Sequence, residues 1–383
     1  MKNPNRLQFL QIIVCVGLLV GIFFSFELWF PITRTFPRVP LFFEVPILFD
    51  QILTIILIVS LISLIFFQKL KIFLMTAIVS LILLIIFDQM RLQPWVYQYL
   101  LLLVIFALTD DEPHSNQMLG LAQIVIAGLY FWSGVQKLNF TFAYETLPIL
   151  LAPLQNLFPS IRLPFVFLGI SIALLEILIG IGLFFRKTRT PAVYFAAAMH
   201  AAILILLIAK NYNSIVWIWN ATLILIVVVS FWQSENSIKQ TIKTAFDWKG
   251  KFAKSIVAAS VLLPVLSFWN LWDMYLSGAL YSGNVEIAVI KINEDLFNDL
   301  PPKARQVVFQ TQNTGDKILP LFEWSIAELN VPVYPENRIF KQITRQVCKS
   351  ANRKSDVELI IKERPAILDG SYKLTRIDCR QIE

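Results

Sequence analysis

Three ionisable residues sit in stretches that are otherwise apolar: Lys137, Glu176 and His200. Lys137 falls near the end of YFWSGVQKLNF, residues 130–140. Glu176 lies in LGISIALLEILIGIGLFF and His200 in AVYFAAAMHAAILILL. Charge inside a membrane span is costly, so each is a candidate for chemistry. A lysine becomes a general base when burial or a nearby cation disfavours its ammonium, and Arg91 is a candidate for that cation. The alternative is an interfacial anchor whose ammonium reaches the headgroups. Glu176 and His200 fall ~13 Å and ~12 Å from the same end of two consecutive antiparallel spans, at a helix rise of ~1.5 Å per residue. That depth permits a hydrogen bond between them, or separate bonds to other helices that only fix packing.

A second polar group gathers at the outer face. Asp88, Arg91, Gln93, Trp95 and Tyr97 come from the hairpin FDQMRLQPWVYQY. Lys137 and Asn139 end the fifth apolar run, and Asp50 and Glu145 should reach a similar depth. Trp95, Tyr97, Tyr130 and Trp132 can form an interfacial aromatic belt, or line a pocket for a flat ring such as a quinone. Two histidines and three cysteines, without CxxC or HExxH, argue against a metal centre. No glycine loop for a nucleotide phosphate is found, and a net charge of +7 alone does not imply nucleic-acid binding.

The elements that carry these residues are membrane helices. Of 383 residues 57% are hydrophobic and 15% charged, too apolar for a soluble domain. MKNPNR followed by LQFLQIIVCVGLLVGIFF has no small-residue cleavage site after it and reads as a first span. Apolar runs predict nine spans, near 7–26, 47–67, 72–87, 95–109, 118–138, 163–185, 192–209, 214–232 and 255–276. With the N-terminus inside, the inner segments carry 12 Lys and Arg and the short outer loops 6. The inner loop TDDEPHSNQ carries neither. TLPILLAPLQNLFPSIRLP is too broken by proline to span and suits a short interfacial or re-entrant helix.

The expected fold is therefore an all-α polytopic bundle over 1–279 with a small extracytoplasmic α+β domain over 280–383. VEIAVIKI, RQVVFQT, DVELIIKE and SYKLTRIDC read as strands, and PENRIFKQITRQVCKSAN as an amphipathic helix. An oxidising compartment would let Cys348 and Cys379 pair, the alternative being two buried thiols. Cys15 reads as packing.

The stretch SGVQKL, Ser133 to Leu138, resembles the signature of the membrane domain of vitamin K-dependent gamma-carboxylases. That domain is shared with bacterial HTTM proteins and, more distantly, is similar to DoxX-like membrane proteins. The hairpin DQMRLQPWVYQY resembles the one before the fourth HTTM helix. The resemblance implies a quinol-linked, carboxylase-like lyase or oxidoreductase in the bacterial cytoplasmic membrane. By that resemblance Lys137 would be the base that deprotonates a quinol and Gly134 would let a helix approach. The outer-face cluster itself adds Arg91 and Asp88 as catalytic candidates, and Gln93, Trp95, Tyr97, Tyr130, Trp132 and Asn139 as ligand-binding candidates. The carboxylases carry lysine and aspartate where Gln136 and Asn139 stand, and a large lumenal domain where this chain has a small tail. An enzyme maturing an exported peptide or modifying a small molecule is the first expectation. The alternatives are a non-catalytic subunit that holds a membrane partner through its tail, and a transporter with a Glu176–His200 proton relay. No paired broken helices favour the transporter.

Overall fold

The computed structural model describes residues 3–68, 70–108, 115–160, 162–235, 242, 251–312, 314–351, 353 and 356–382. The apolar runs fold as helices: α1 (Asn3–Phe24), α2 (Phe26–Trp29), α3 (Ile47–Phe66), α4 (Lys71–Phe87), α5 (Pro94–Ala107), α6 (Ser115–Lys137), α7 (Leu147–Leu157), α8 (Phe165–Phe184), α9 (Arg186–Ala209) and α10 (Ser214–Phe231). Seven helical stretches among the described residues are long and apolar enough to cross a membrane, and α4 and α5 are shorter apolar helices. Twenty residues at ~1.5 Å each give ~30 Å, the thickness of a bilayer core. Large apolar side chains such as Phe23, Phe66, Phe167, Leu178 and Ile205 point outward from these helices, as a lipid-facing surface requires. This is the build of an integral membrane protein.

The last apolar stretch is not one α-helix. It opens as α11 (Lys251–Val257), passes through a π turn at Ala258–Leu262 and ends as a 3-10 turn at Leu263–Trp269. Pro264 offers no amide hydrogen, so a regular ladder cannot run through it. The proline-broken segment after α6 forms a π turn, Phe142–Thr146, and then α7, which packs against α9.

Beyond residue 286 the chain forms a five-stranded antiparallel sheet in the order β2-β3-β1-β4-β5. The strands are β1 (Ile287–Ile292), β2 (Phe309–Gln310), β3 (Lys317–Pro320), β4 (Val357–Lys362) and β5 (Leu374–Asp378). β1 and β4 alternate fully buried residues with less buried ones, and helix Asn337–Lys349 packs its Ile339, Phe340, Ile343 and Val347 into this core. RQVVFQT is not a strand. Pro302 opens a short helix that runs to Val307, leaving only Phe309–Gln310 to pair, and β3 takes the expected strand's place beside β1. Cys348 and Cys379 form a disulfide with Cα atoms 5.9 Å apart, tying that helix to the end of β5.

The TDDEPHSNQ residues at 109–114, and Lys2, Lys69, Lys239, Lys243 and Lys249 of the inner charge set, lie outside the described residues.

Candidate functional site

Two glycines bring α6 and α8 together. A Cβ on Gly134 would lie 2.5 Å from Ala173 O, and one on Gly180 would lie 2.7 Å from Phe131 N. Backbones this close permit no side chain at either position. The approach places Lys137, at the end of α6, against Glu176 in the middle of α8. Lys137 Nζ lies 2.8 Å from Glu176 Oε2 and donates to Ser133 Oγ at 2.6 Å. Only 10% of the lysine side chain and 4% of the glutamate side chain are exposed. The ammonium is thus turned inward onto a counter-charge and a hydroxyl.

One stripe of α6 carries Tyr130, Ser133 and Lys137, at the spacing that stacks side chains on one helix face. Tyr130 OH lies 2.7 Å from His200 Nε2, and His200 Nδ1 lies 2.7 Å from Asn220 Oδ1. Asn220 Nδ2 donates to Val216 O, so its Oδ1 is the atom offered to the ring. An amide oxygen only accepts, which puts the hydrogen on Nδ1 and leaves Nε2 to accept from the tyrosine hydroxyl.

Both polar groups open on one cavity of about 170 Å³. Its wall is otherwise apolar, with Leu150 of α7, Ile172 of α8, Met199 and Ile203 of α9, and Trp219 of α10. An apolar cavity of about 150 Å³ is enough to hold a benzene ring. The arrangement is a mainly apolar pocket with a carboxylate, an ammonium and a hydrogen-bonded imidazole at its edge, the setting in which a proton can be taken from a bound group.

The expected Glu176–His200 bond does not form. Glu176 turns to Lys137, and His200 is held by Tyr130 and Asn220; the two residues meet only as walls of the same cavity. Lys137 does not lie beside Arg91 or another hairpin residue either. Arg91 is fully buried in a two-pronged ion pair with Asp50, at 2.7 and 2.5 Å, and donates to Leu28 O and Leu84 O. Asp88 pairs with Arg34 at 2.6 Å and accepts from Val39 N and Met90 N, which caps the hairpin turn. Those bonds tie the hairpin to α2, α3, α4 and the loop between α2 and α3, and away from α8 and α9.

The other hairpin residues lie outside the cavity. Gln93 donates to Met90 O and Pro332 O, Trp95 packs against Gly21, and Tyr97 OH donates to Ala259 O. Trp132 donates to Val261 O, and Asn139 bridges Gln136 O and Ser282 O. Of the ligand-binding candidates, Tyr130 alone lines the cavity with Lys137, while Gly134 shapes the helix contact behind it. Sequence reasoning passed over Ser133 as a site residue, and Asn220 and Tyr281 altogether. Asn220 had a signal, a lone amide inside VWIWNATLILIV. No family model matches the chain, and neither a curated protein nor a solved structure is significantly similar to it.

Proposed function

We propose that this chain is an integral membrane enzyme that takes a proton from a ring hydroxyl of a lipid-soluble quinol held in the cavity between α6, α8, α9 and α10. The observation that carries the reading is the buried Lys137–Glu176 pair at the edge of an otherwise apolar pocket. The pocket suits one ring in size and in lining. A bound quinol would supply a ring hydroxyl as the proton donor. Glu176, as the carboxylate of the pair, accepts the proton at a carboxylate oxygen. Lys137 keeps its ammonium and balances the negative charge left in the pocket. His200, fixed by Asn220, and the Tyr130 hydroxyl give a second hydrogen-bonding point across the ring. This division gives Glu176 the acceptor role that the gamma-carboxylase resemblance implies for Lys137.

The finer placement belongs to the same proposal: nine spans with α4 and α5 among them, the N-terminus cytoplasmic, and the disulfide-bonded domain outside, where an exported peptide or small molecule is modified. The 12-to-6 charge asymmetry and the disulfide support it.

Fluorescence tests the pocket, because Trp219 lines it. A short-chain benzoquinone should quench part of the emission saturably. That part should vanish in Trp219→Phe and require about tenfold more ligand in Lys137→Ala, the factor that about 1.4 kcal/mol of lost binding produces. Identical quenching in the native protein and Trp219→Phe would refute quinone binding at this cavity.

A further inference from the structure

Residues 278–283 read GALYSG and form a strap between the last apolar stretch and β1. Both glycines are left-handed, at φ +75° and +71°. A Cβ on Gly278 would lie 3.0 Å from Ser133 N, and one on Gly283 would lie 2.7 Å from Phe142 N. The strap's ends are thus pressed onto α6 and onto the π turn that follows it. Between them, Tyr281 sits at φ +55°, a region that bulky residues rarely enter and that is kept where the surroundings enforce it. Its hydroxyl meets Asn213 Nδ2 at 2.5 Å, just ahead of α10.

Leu280 and Tyr281 line two cavities at once. One is the pocket beside Lys137; the other, of about 200 Å³, lies beneath the C-terminal domain. The wall of the second is amphipathic: Ile149, Ile287, Phe322 and Val333 supply the apolar part. Glu145 and Glu286 are its acidic residues, and no lysine or arginine among the described residues lines it. Lys362 pairs with Glu145 at 3.2 Å, which leaves Glu286 as the wall carboxyl without an ion pair of that kind among the described residues; Arg364, whose charge reaches Glu286, donates to Asn284 Oδ1 and Ser267 O. Thr141, also in the wall, is buried, and its hydroxyl has no hydrogen-bond partner among the described residues. A buried hydroxyl without a partner is costly and marks a place where a ligand group can supply one. Burial, and then the charge of Glu363, pushes the Glu286 carboxyl up to about 7. A cation in the chamber would return it to its charged form.

We infer that the chamber beneath the C-terminal domain binds a water-borne co-substrate carrying a cationic amine beside an apolar group, and that Tyr281 is the gate through which it reaches Lys137. The inference builds on the proposed site by giving it a second entrance. A lipid-soluble ligand reaches the pocket along α7 and α9, and the polar one arrives from the aqueous side past the strap. Hinge-like glycines at both ends let the strap swing without unfolding either neighbour.

Thiol chemistry tests this without reading turnover, so it succeeds or fails independently of the proton-transfer role of Lys137 and Glu176. Cys15→Ala removes the free thiol, and Ile203→Cys places one in the pocket beyond the strap, with the disulfide left intact. Vesicles are treated on the side bearing the C-terminal domain with trimethylammonium-ethyl or sulfonatoethyl methanethiosulfonate. Each rate is normalised to that of a free thiol in solution. The cationic reagent should react about tenfold faster, the ratio given by about 1.4 kcal/mol of charge preference. Glu286→Gln should abolish that preference. Tyr281→Ala should speed both reagents, whereas Tyr281→Phe, which keeps the ring, should not. The neutral methyl reagent, which crosses lipid, reports that the thiol is present in a folded pocket. Reaction with the neutral reagent alone, with no reagent, or at equal rates for both charges would overturn the inference.

Discussion

Lys137 and Glu176 show why a buried ion pair is better evidence of function than of stability. Desolvating two charges offsets most of what their attraction contributes, so such pairs persist only under some constraint. Removing one partner is worse, because it strands the other. Glu176→Gln should therefore destabilise the protein by about 3–5 kcal/mol, whereas Lys137→Met with Glu176→Met should restore most of the loss. Thermal melting in detergent checks this, and additive losses in the double variant would show that the two residues are not coupled. Tyr130→Phe leaves His200 Nε2 without its donor and should cost about 1–3 kcal/mol by the same assay.

At the scale of elements, the α6–α8 contact aligns the pair. Gly134→Val must push Ala173 and Ile177 of α8 away from α6, which overpacks the interface and should cost about 1–3 kcal/mol or more. Gly134→Ser should be milder but measurable in the melting temperature, and no change in either would mean that the helices can shift freely. Most of the helices were legible because long apolar runs between polar breaks leave few alternatives in lipid. The disulfide was legible from the oxidising compartment expected for the tail. The RQVVFQT strand was misread because its β-branched residues outweighed the helix start that Pro302 provides. The partners of Glu176 and His200 were misjudged for a different reason. Equal depth on adjacent spans does not give rotation, and α6 offered both residues better partners. The strap left no period to read, since its conformation follows from two glycines and from what they press against.

For the whole molecule, the C-terminal domain caps the bundle and couples it to the aqueous phase. Glu286 and Glu336 are each raised to about 7, first by burial and then by neighbouring carboxylates, Glu363 and Asp273 respectively. In the unfolded chain both release protons near the ordinary value of ~4.3. Between these limits the folded state holds more protons, so stability is full below about 4.3 and falls as pH rises towards 7. Asp316, Glu363 and Asp369 lie below the usual carboxylate range and act only at more acidic pH. The domain should thus melt higher at pH 5 than at pH 8, and the opposite slope would contradict this account. In intact cells, a cysteine placed near residue 290 should be labelled from outside; labelling only after permeabilisation would invert the proposed orientation.

The central claim is that the Lys137–Glu176 pair takes a proton from a ring hydroxyl in the cavity. Infrared difference spectra, recorded as a short-chain benzoquinol is added, read this directly. The account predicts a carbonyl stretch of a newly protonated carboxylic acid that shifts in deuterium oxide and disappears in Glu176→Gln. A difference spectrum that is the same in the native protein and in Glu176→Gln would contradict it.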